Sequence, residues 1–305
     1  MQRHYKKRSS GYQQWRQKSH SEDYLVYPEN IGENLSLDEV SLSKGELYTY
    51  LTNKNGRGKK GTLVTSIKGV KSDAIIAAIE RIPIEKRKQV KEVTVDMANN
   101  MNLAAKICFQ NAKIVTDRFH VVKLVMEALQ HVRVQHRWKA IEDENKAIET
   151  AKKEGKKHKP IILSNGDTKK QLLARSRYII AKKPSQWTEN QKHRAELLFK
   201  FYPCIEQAYK HTLEFRSIYE EKCKIKAKQR FEYWFVDTEE LEFKNFNTAT
   251  NSIKHHFETI LNFFDNRSTN ANAESFNSKI KLFRANQRGV RDTKFFLFRM
   301  EKLFA

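Results

Sequence analysis

The sequence has few cysteines, no long apolar run and too few acidic residues to balance its basic ones. Its three cysteines, Cys108, Cys204 and Cys223, are scattered, and no C-x-x-C pair occurs. A zinc site built on cysteines is therefore not expected. The odd cysteine count and the lack of an export signal indicate a reducing compartment, and we expect the cytoplasm. No apolar stretch of about 18 residues occurs, so a transmembrane protein is not expected.

The shortage of acidic residues leaves a large positive charge. The 305 residues include 58 Lys and Arg but only 36 Asp and Glu, a formal net charge of +22, and the pI is about 9.8. Such an excess implies a polyanionic partner; nucleic acid is the main expectation and a membrane surface the alternative. A hydrophobic content of 39% supports a real core in one large domain or two ordinary ones.

Residues 1–32 are predicted to form a basic flexible arm. Residues 1–20 contain no acidic residue and no hydrophobic periodicity, and Tyr5, Tyr12 and Trp15 stand among Arg and Lys. The arm either binds DNA phosphates or is a solvated tail. The sequence shows no zinc-finger or helix-turn-helix pattern here, and N-G-R-G-K-K at 55–60 is not a phosphate-binding loop.

The strongest structural pattern is a strand, a helix and a second strand between residues 93 and 117. The apolar runs 93–95 and 113–116 end on Asp96 and Asp117. The helix between them, over residues 102–110, is expected to turn Leu103 and Ile107 inward, with Cys108 as a further candidate. Strands joined in this way lie parallel, so both carboxylates are expected at the same edge of the sheet.

Earlier segments predict the antiparallel half of a mixed sheet. Residues 35–53 alternate like a β-hairpin with its turn at 43–45, a third strand follows at 61–70, and an amphipathic helix covers 71–90. Asp38 and Glu39 interrupt the first strand, and such interruptions gather at functional sites. The alternative is a solvent-facing acidic pair on an edge strand.

The rest of the chain reads as helical. Residues 121–154 and 169–241 contain no strand-like run, which predicts an inserted helical domain. We therefore assign 33–125 and 246–305 to the core and 126–245 to the insertion. A late helix over 270–284 carries Glu274, Asn277 and Lys281 on one face.

Asp38, Asp96 and Glu274 are the candidate metal ligands. Mg²⁺ or Mn²⁺ prefers oxygen ligands, and carboxylates from separate elements suit such ions. Two ions a few ångströms apart would activate a water or a 3′-hydroxyl and stabilise the leaving oxygen in phosphodiester transfer. Together with the basic charge, this predicts metal-dependent chemistry on DNA.

Four segments resemble bacterial insertion-sequence transposases of the DDE superfamily. They are LDEVSLSKGELYTYLTN, VTVDMANN, IVTDRFHVVKL and TNANAESFNSKIKLFRANQRGVRD. The similarity spans roughly residues 33–305 and is closest to the ISL-three group, in particular its Bacteroidetes-type members. It implies a ribonuclease-H-like core of mixed sheet and helices, interrupted by a helical insertion before the helix that bears the last acid.

The resemblance also assigns residues. It implies a catalytic and metal-binding triad of Asp38, Asp96 and Glu274, and it matches Asp117 and His120 to a D-x-x-H element. The residues alone do not choose Asp38 over Glu39, or Glu274 over other acidic residues on helices, whereas the resemblance does. Asn277 is expected to support the site. Four basic residues are expected to contact DNA: Lys279, Lys281, Arg284 and Arg288.

Asp117 and His120 have two interpretations. We expect His120 to position the scissile phosphate or a carboxylate rather than to ligate metal, because a hard cation prefers oxygen. The alternative is that Asp117 caps the helix that follows and His120 packs beside it.

The resulting expectation is an enzyme that hydrolyses DNA at element ends and transfers the strand into target DNA. One alternative is a ribonuclease-H-like nuclease or resolvase that does not join strands; another is a truncated, non-catalytic DNA-binding protein. Similar transposases carry a longer N-terminal zinc-binding and helix-turn-helix region. Recognition of the ends is therefore expected to need a separate DNA-binding polypeptide or upstream sequence, and assembly on DNA is expected to form a homo-oligomer.

Overall fold

The computed structural model of the chain describes residues 4–43 and 45–305. The turn of the predicted hairpin includes Lys44 and so lies partly outside the described residues. The strands in chain order are β1 (Tyr24–Val26), β2 (Asn34–Ser43), β3 (Glu46–Asn53), β4 (Leu63–Lys68), β5 (Glu92–Val95) and β6 (Lys113–Thr116).

The six strands form one mixed sheet in the order β1-β4-β3-β2-β5-β6. The pairs β1–β4, β4–β3 and β3–β2 are antiparallel, whereas β2–β5 and β5–β6 are parallel. This arrangement confirms the predicted mixed sheet and its parallel pair, and it suits a ribonuclease-H-like core. Strand β1 was not predicted; it is only three residues long and pairs with a strand some forty positions later.

Helices connect and cover the sheet. Those of the core are α1 (Ser72–Ile79), α2 (Ile84–Arg87), α3 (Asn99–Cys108), α10 (Phe257–Leu261), α11 (Phe263–Asn266), α12 (Ala271–Asn286) and α13 (Thr293–Phe304). Between α3 and α10 lie α4 (Arg118–Lys153), α5 (Lys169–Arg175), α6 (Glu189–Phe201), α7 (Pro203–Ile218), α8 (Lys224–Glu240) and α9 (Lys244–His255). Short 3₁₀ or π turns cover Tyr5–Ser9, Tyr12–Gln14, Pro28–Asn30, Lys54–Gly56, Ser176–Tyr178 and Pro184–Gln186.

The chain divides into two compact units. The sheet unit comprises the chain up to His120 together with Glu258–Ala305, and the helical unit comprises Val121–Phe257. Residues 246–264 lie across three helices, α9 to α11. None of the helices in the described part of the chain is long and apolar enough to cross a lipid bilayer.

The sheet unit has a hydrophobic cluster on each face of the sheet. Leu35 and Leu37 of β2 pack in the cluster that includes α1 and α3, whereas Val40 and Leu42 pack in the cluster that includes α12 and α13. Successive residues of a strand point to opposite faces, so even-numbered positions of β2 face α12. Asp38 is one of these positions.

The prediction of a flexible arm is wrong for much of the described part of residues 1–32. Tyr12 and Trp15 are buried, and both rings contact Phe298 of α13 with centroid distances of 5.4 and 5.5 Å. Tyr27 and Trp15 also donate hydrogen bonds to Glu301. Aromatic residues of the predicted arm therefore anchor this segment to the last helix.

The inward face of α3 was also predicted incorrectly. Leu103 and Ile107 are 47% and 42% exposed. The buried residues of this helix include Met101, Ala104 and Ala105. Small side chains let a helix approach a sheet closely, and this gain outweighed burial of the two larger aliphatic residues.

The core of the helical unit is aromatic and contains one buried acid. Trp234 is 1% exposed, and its indole N–H donates to the carbonyl of His211. The carboxylate of Asp167 is fully buried and accepts hydrogen bonds from Arg175 and Arg194. The aromatic residues of this region are thus mainly packing residues.

Candidate active site

Strand pairing places three aspartates side by side at the edge of the sheet. Ser36 of β2 lies opposite Thr94 of β5, and the neighbouring β5 residue Val95 lies opposite Thr116 of β6. Continuing this register by one or two residues aligns Asp38, Asp96 and Asp117. Residues in register on adjacent strands point to the same face. The sheet therefore gathers these carboxylates where the parallel strands end.

Asp38 is held in place from two sides. Its side chain is only 8% exposed. One carboxylate oxygen, Oδ1, accepts from the N–H of Glu39 at 2.8 Å, and Oδ2 accepts from Nδ2 of Asn277 at 2.7 Å. The second bond joins β2 to α12, although the two residues are 239 positions apart. The neighbouring Glu39 is exposed, so Asp38 is the inward-facing acid of the pair.

The electrostatics of Asp38 show which groups surround it. Burial raises the pKa of Asp38 to about 6, and the negative charge of Asp96 also raises it. The hydrogen bonds to Asp38 and the charge of His120 act in the opposite direction. Asp38, Asp96, His120 and Asn277 therefore lie in one site.

Asp96 is ordered by the helix that follows it. Its Oδ1 accepts from the N–H of Ala98 at 2.7 Å, next to the start of α3. Its backbone carbonyl accepts from Nδ2 of Asn102 at 3.0 Å. The side chain is half-buried. These contacts fix the turn that carries the carboxylate, so Asp96 faces the site with little freedom.

Glu274 lies on α12, the helix that contacts Asp38. It is exposed and lies one helical turn before Asn277 on α12. Across residues 4–43 and 45–305, no three His, Cys, Asp or Glu side chains lie close enough together to hold a metal ion. The structure thus brings Asp38 and Asp96 together and places Glu274 on α12, the helix that contacts Asp38.

Asp117 links the sheet edge to the start of α12. Its side chain is 2% exposed, and its Oδ1 accepts from the backbone N–H of Asn270 at 3.2 Å. Asn270 in turn accepts from the N–H of Glu274 at 2.9 Å in the first helical turn. Asn270 was missed in the sequence, although an Asn directly before a helix is a usual start signal.

The four predicted DNA-binding residues have different surroundings. Nζ of Lys279 donates to the carbonyl of Gly58 at 2.7 Å, and Arg284 donates to the carbonyl of Leu42 at 2.8 Å. Lys281 and Arg288 are exposed. Lys279 and Arg284 therefore hold α12 against neighbouring loops and strands, which leaves Lys281 and Arg288 as the accessible cations.

The donor set of the site fits a divalent cation. Asp38 and Asp96 offer carboxylate oxygens, and their mutual repulsion would be relieved by positive charge between them. Oδ2 of Asp117 and Oδ1 of Asn277 are buried with no hydrogen-bond partner among the described residues. Buried oxygens normally have partners, so a bound cation or its water ligands would complete this set.

Comparison with known proteins identifies relatives. A family model described as transposase, of the DDE type and the ISL3 group, matches residues 35–300. The transposase for insertion sequence element IS1001 from Bordetella parapertussis is 22% identical over 274 residues, which cover 89% of this chain and 61% of that protein. The chain thus spans about three fifths of the length of this curated relative. No solved structure matches the chain.

Proposed function

Because the chain belongs to the ISL3 family of DDE transposases, we propose that it cuts DNA at the ends of an insertion sequence and joins the freed 3′-hydroxyl to target DNA. The observation that carries this proposal is the pairing of Asp38 with Asp96 at one sheet edge, with Asn277 linking Asp38 to α12. The family implies dependence on a divalent metal and DNA as the substrate. The net charge of +22 suits that substrate.

The proposed cofactor is Mg²⁺ or Mn²⁺, as two ions. Asp38, Asp96 and Glu274 would hold them. When bound, the ions would activate a water or a 3′-hydroxyl and stabilise the leaving oxygen. Asn277 keeps Asp38 oriented through its 2.7 Å hydrogen bond. His120 carries a positive charge, when protonated, beside Asp38 and is the proposed contact for the scissile phosphate.

The wider assembly is part of the same proposal. We expect a homo-oligomer on DNA and a separate DNA-binding polypeptide that reads the ends. The proposed compartment is the bacterial cytoplasm, where the DNA substrate lies. Membership of the Bacteroidetes-type subgroup rests on the four segments quoted above.

Cleavage of duplexes that carry the element's ends tests the proposal. The chain would be assayed with Mg²⁺ or Mn²⁺, alone and with the product of any adjacent reading frame. Asp38→Asn, Asp96→Asn and Glu274→Gln should each lose at least about 100-fold in rate, which corresponds to about 2.7 kcal/mol of transition-state stabilisation. Each variant should bind DNA as tightly as the wild type or more tightly.

Glu39→Gln is the comparison variant that tests the choice of Asp38, since Glu39 is the exposed acid next to it. Partial burial raises the pKa of Glu39, and the charges of Asp96 and His120 also influence that pKa. Glu39→Gln should cleave within about threefold of wild type. Equal losses in Glu39→Gln and Asp38→Asn would contradict the assignment. Cleavage without joining of the 3′ end to a second duplex would indicate the nuclease or resolvase instead, and binding without cleavage would indicate a non-catalytic DNA-binding protein.

A further inference from the structure

A basic groove of about 740 Å³ lies within the sheet unit, between the N-terminal segment and the turn that joins α12 to α13. Six cationic side chains line it, against a single carboxylate, that of Asp292. The cations are Lys6, Lys7, Lys18, Arg288, Arg291 and Arg299.

Aromatic packing makes the N-terminal wall of this groove a fixed surface. The buried ring of Tyr12 meets the ring of Phe295 edge-on, with a centroid distance of 5.2 Å. The ammonium groups of Lys6 and Lys18 lie over the Tyr12 ring at 4.9 and 4.8 Å. Such cation–π contacts hold the lysines in place without cancelling their charge.

Only part of the positive charge in the groove is neutralised. Asp292 pairs with Lys6 and also caps α13 by accepting from the N–H of Phe295 at 3.0 Å. Lys7, Arg288 and Arg291 are exposed, and no ion pair to any of them is found within the part of the chain that the structure describes. Exposed cations on a fixed wall are suited to phosphate groups.

Helix α12 connects the groove to the candidate active site. Glu274 and Lys281 are both exposed and are seven residues apart, which places them on one face. Arg288 lies seven residues beyond Lys281 and two residues past Asn286, the last residue of the helix. At 1.5 Å per residue the helix from Glu274 to Asn286 spans about 18 Å, and the two further residues bring the separation of Glu274 and Arg288 to about 20 Å. This distance equals about six base pairs of duplex DNA at 3.4 Å each.

We propose that the basic groove binds the sugar-phosphate backbone of double-stranded DNA about six base pairs from the scissile phosphate. Charge complementarity selects this ligand, and α12 sets its distance from the catalytic carboxylates. This inference rests on the proposed function for the position of the cut, whereas binding itself is measured without metal. A backbone contact of this kind fixes the register of the duplex and carries no base specificity.

Equilibrium binding without divalent metal provides the test. The groove variant combines Lys7→Gln, Arg288→Gln and Arg291→Gln. The matched control removes the same charge from exposed positions beside helices of the other sheet face, with Lys71→Gln, Lys88→Gln and Lys106→Gln. The groove variant should bind a 20-base-pair duplex at least about tenfold more weakly, and its log–log salt slope should be less steep by about 2 to 3. The control should stay within about threefold of wild type.

Neutral phosphates on the DNA give an independent measurement with the wild-type protein. Pairs of methylphosphonates would be scanned along one strand of the duplex. Methylphosphonates should weaken wild-type binding at one cluster of positions, and where cleavage is observed this cluster should lie about six base pairs from the cut. Binding by the groove variant should not change when the same positions are neutralised. Equal effects of the groove and control variants, or the same scan profile in wild type and groove variant, would overturn the proposal. If binding behaves as expected but the wild-type protein does not cleave, the proposed function is rejected and the DNA-binding role of the groove stands.

Discussion

At the scale of single residues, Asp38 is where folding and function oppose each other. Its folded pKa is about 6 because burial, and secondarily Asp96, disfavours the charged carboxylate. An unfolded Asp has a pKa near 3.9. The stability gained from the protonated form is therefore fully present below about pH 4 and is lost as the pH rises through about 6. At neutral pH the protein keeps a charge there that the fold itself disfavours.

Asp38→Asn should therefore stabilise the protein above pH 6. A shift of about two pKa units corresponds to at most about 3 kcal/mol in the free energy of unfolding. Urea denaturation of wild type and variant between pH 4 and 8 would measure it, and the difference should shrink toward pH 4. Millimolar Mg²⁺ at pH 7 should raise the wild-type melting temperature and leave that of Asp38→Asn unchanged. A pH-independent difference would contradict this account of the site.

His120 is expected to act on the reaction rather than on the fold. It is half-buried and close enough to Asp38 to offset part of the effect of burial. His120→Ala should melt near wild type but lose at least about tenfold in cleavage, or some 1.4 kcal/mol of transition-state stabilisation. His131→Ala, an exposed histidine of the same helix, is the control. If His120→Ala lowers stability by about 1 to 2 kcal/mol and cleaves at the wild-type rate, His120 is a packing residue.

At the scale of elements, α12 is the part of the site that has to be positioned. Lys279 and Arg284 tie its middle and end to backbone carbonyls, and Asn277 ties it to Asp38. Its start is held by the contact between Asp117 and the N–H of Asn270. Asp117 thus links strand β6 to the helix that carries Glu274, which supports a positioning role. Its Oδ2, buried without a hydrogen-bond partner in the described part of the chain, would instead suit a metal ion or its water ligand.

Two substitutions of Asp117 separate these roles. Asp117→Asn keeps an oxygen that can accept from Asn270, whereas Asp117→Ala removes it. Under the positioning role, Asp117→Ala should lose about tenfold in cleavage and about 1 to 2 kcal/mol of stability, and Asp117→Asn should stay within about threefold. Cleavage rates and urea denaturation of both variants decide the matter. Equal and large losses of cleavage in both variants would show that the charge of Asp117 is needed, as for a metal ligand.

The elements differ in how far the sequence could predict them. Strands β5 and β6 follow from short buried runs that end on aspartate, and the helical unit follows from its length without strand-like segments. Strand β1 could not be found in this way, because its pairing with β4 depends on residues distant in sequence. The inward face of α3 was mistaken because its alanines, rather than Leu103 and Ile107, pack at the sheet.

The candidate site shows the same limit. Its carboxylates could be proposed from strand ends and from the family resemblance. The hydrogen bonds from Asn277 to Asp38 and from Asn270 to Asp117 join positions 239 and 153 residues apart. Neither spacing nor periodicity indicates such contacts, since they depend on where the chain returns after the helical unit.

At the scale of the whole molecule, the positive charge is spread over both units. Residues 121–257 contain 28 basic and 18 acidic residues, and the rest of the chain contains 30 and 18. A single basic patch would concentrate the excess in one unit. An excess in both units is typical of a protein that follows a polyanion over a long distance, and it suits a duplex longer than the six base pairs argued for α12.

The last prediction concerns the salt dependence of DNA binding by the full chain. Each phosphate that the protein neutralises contributes about −0.9 to the slope of log K against log salt for duplex DNA. With an excess of basic residues in both units, we expect a slope of several units between about 50 and 200 mM salt. Titrations of an element-end duplex and a scrambled duplex of equal length would measure it. Both duplexes should give similar slopes, because phosphate contacts are independent of sequence. A slope near zero would mean that the charge of +22 does not contact DNA, and a steep slope on the element end alone would mean that the chain reads bases as well as phosphates.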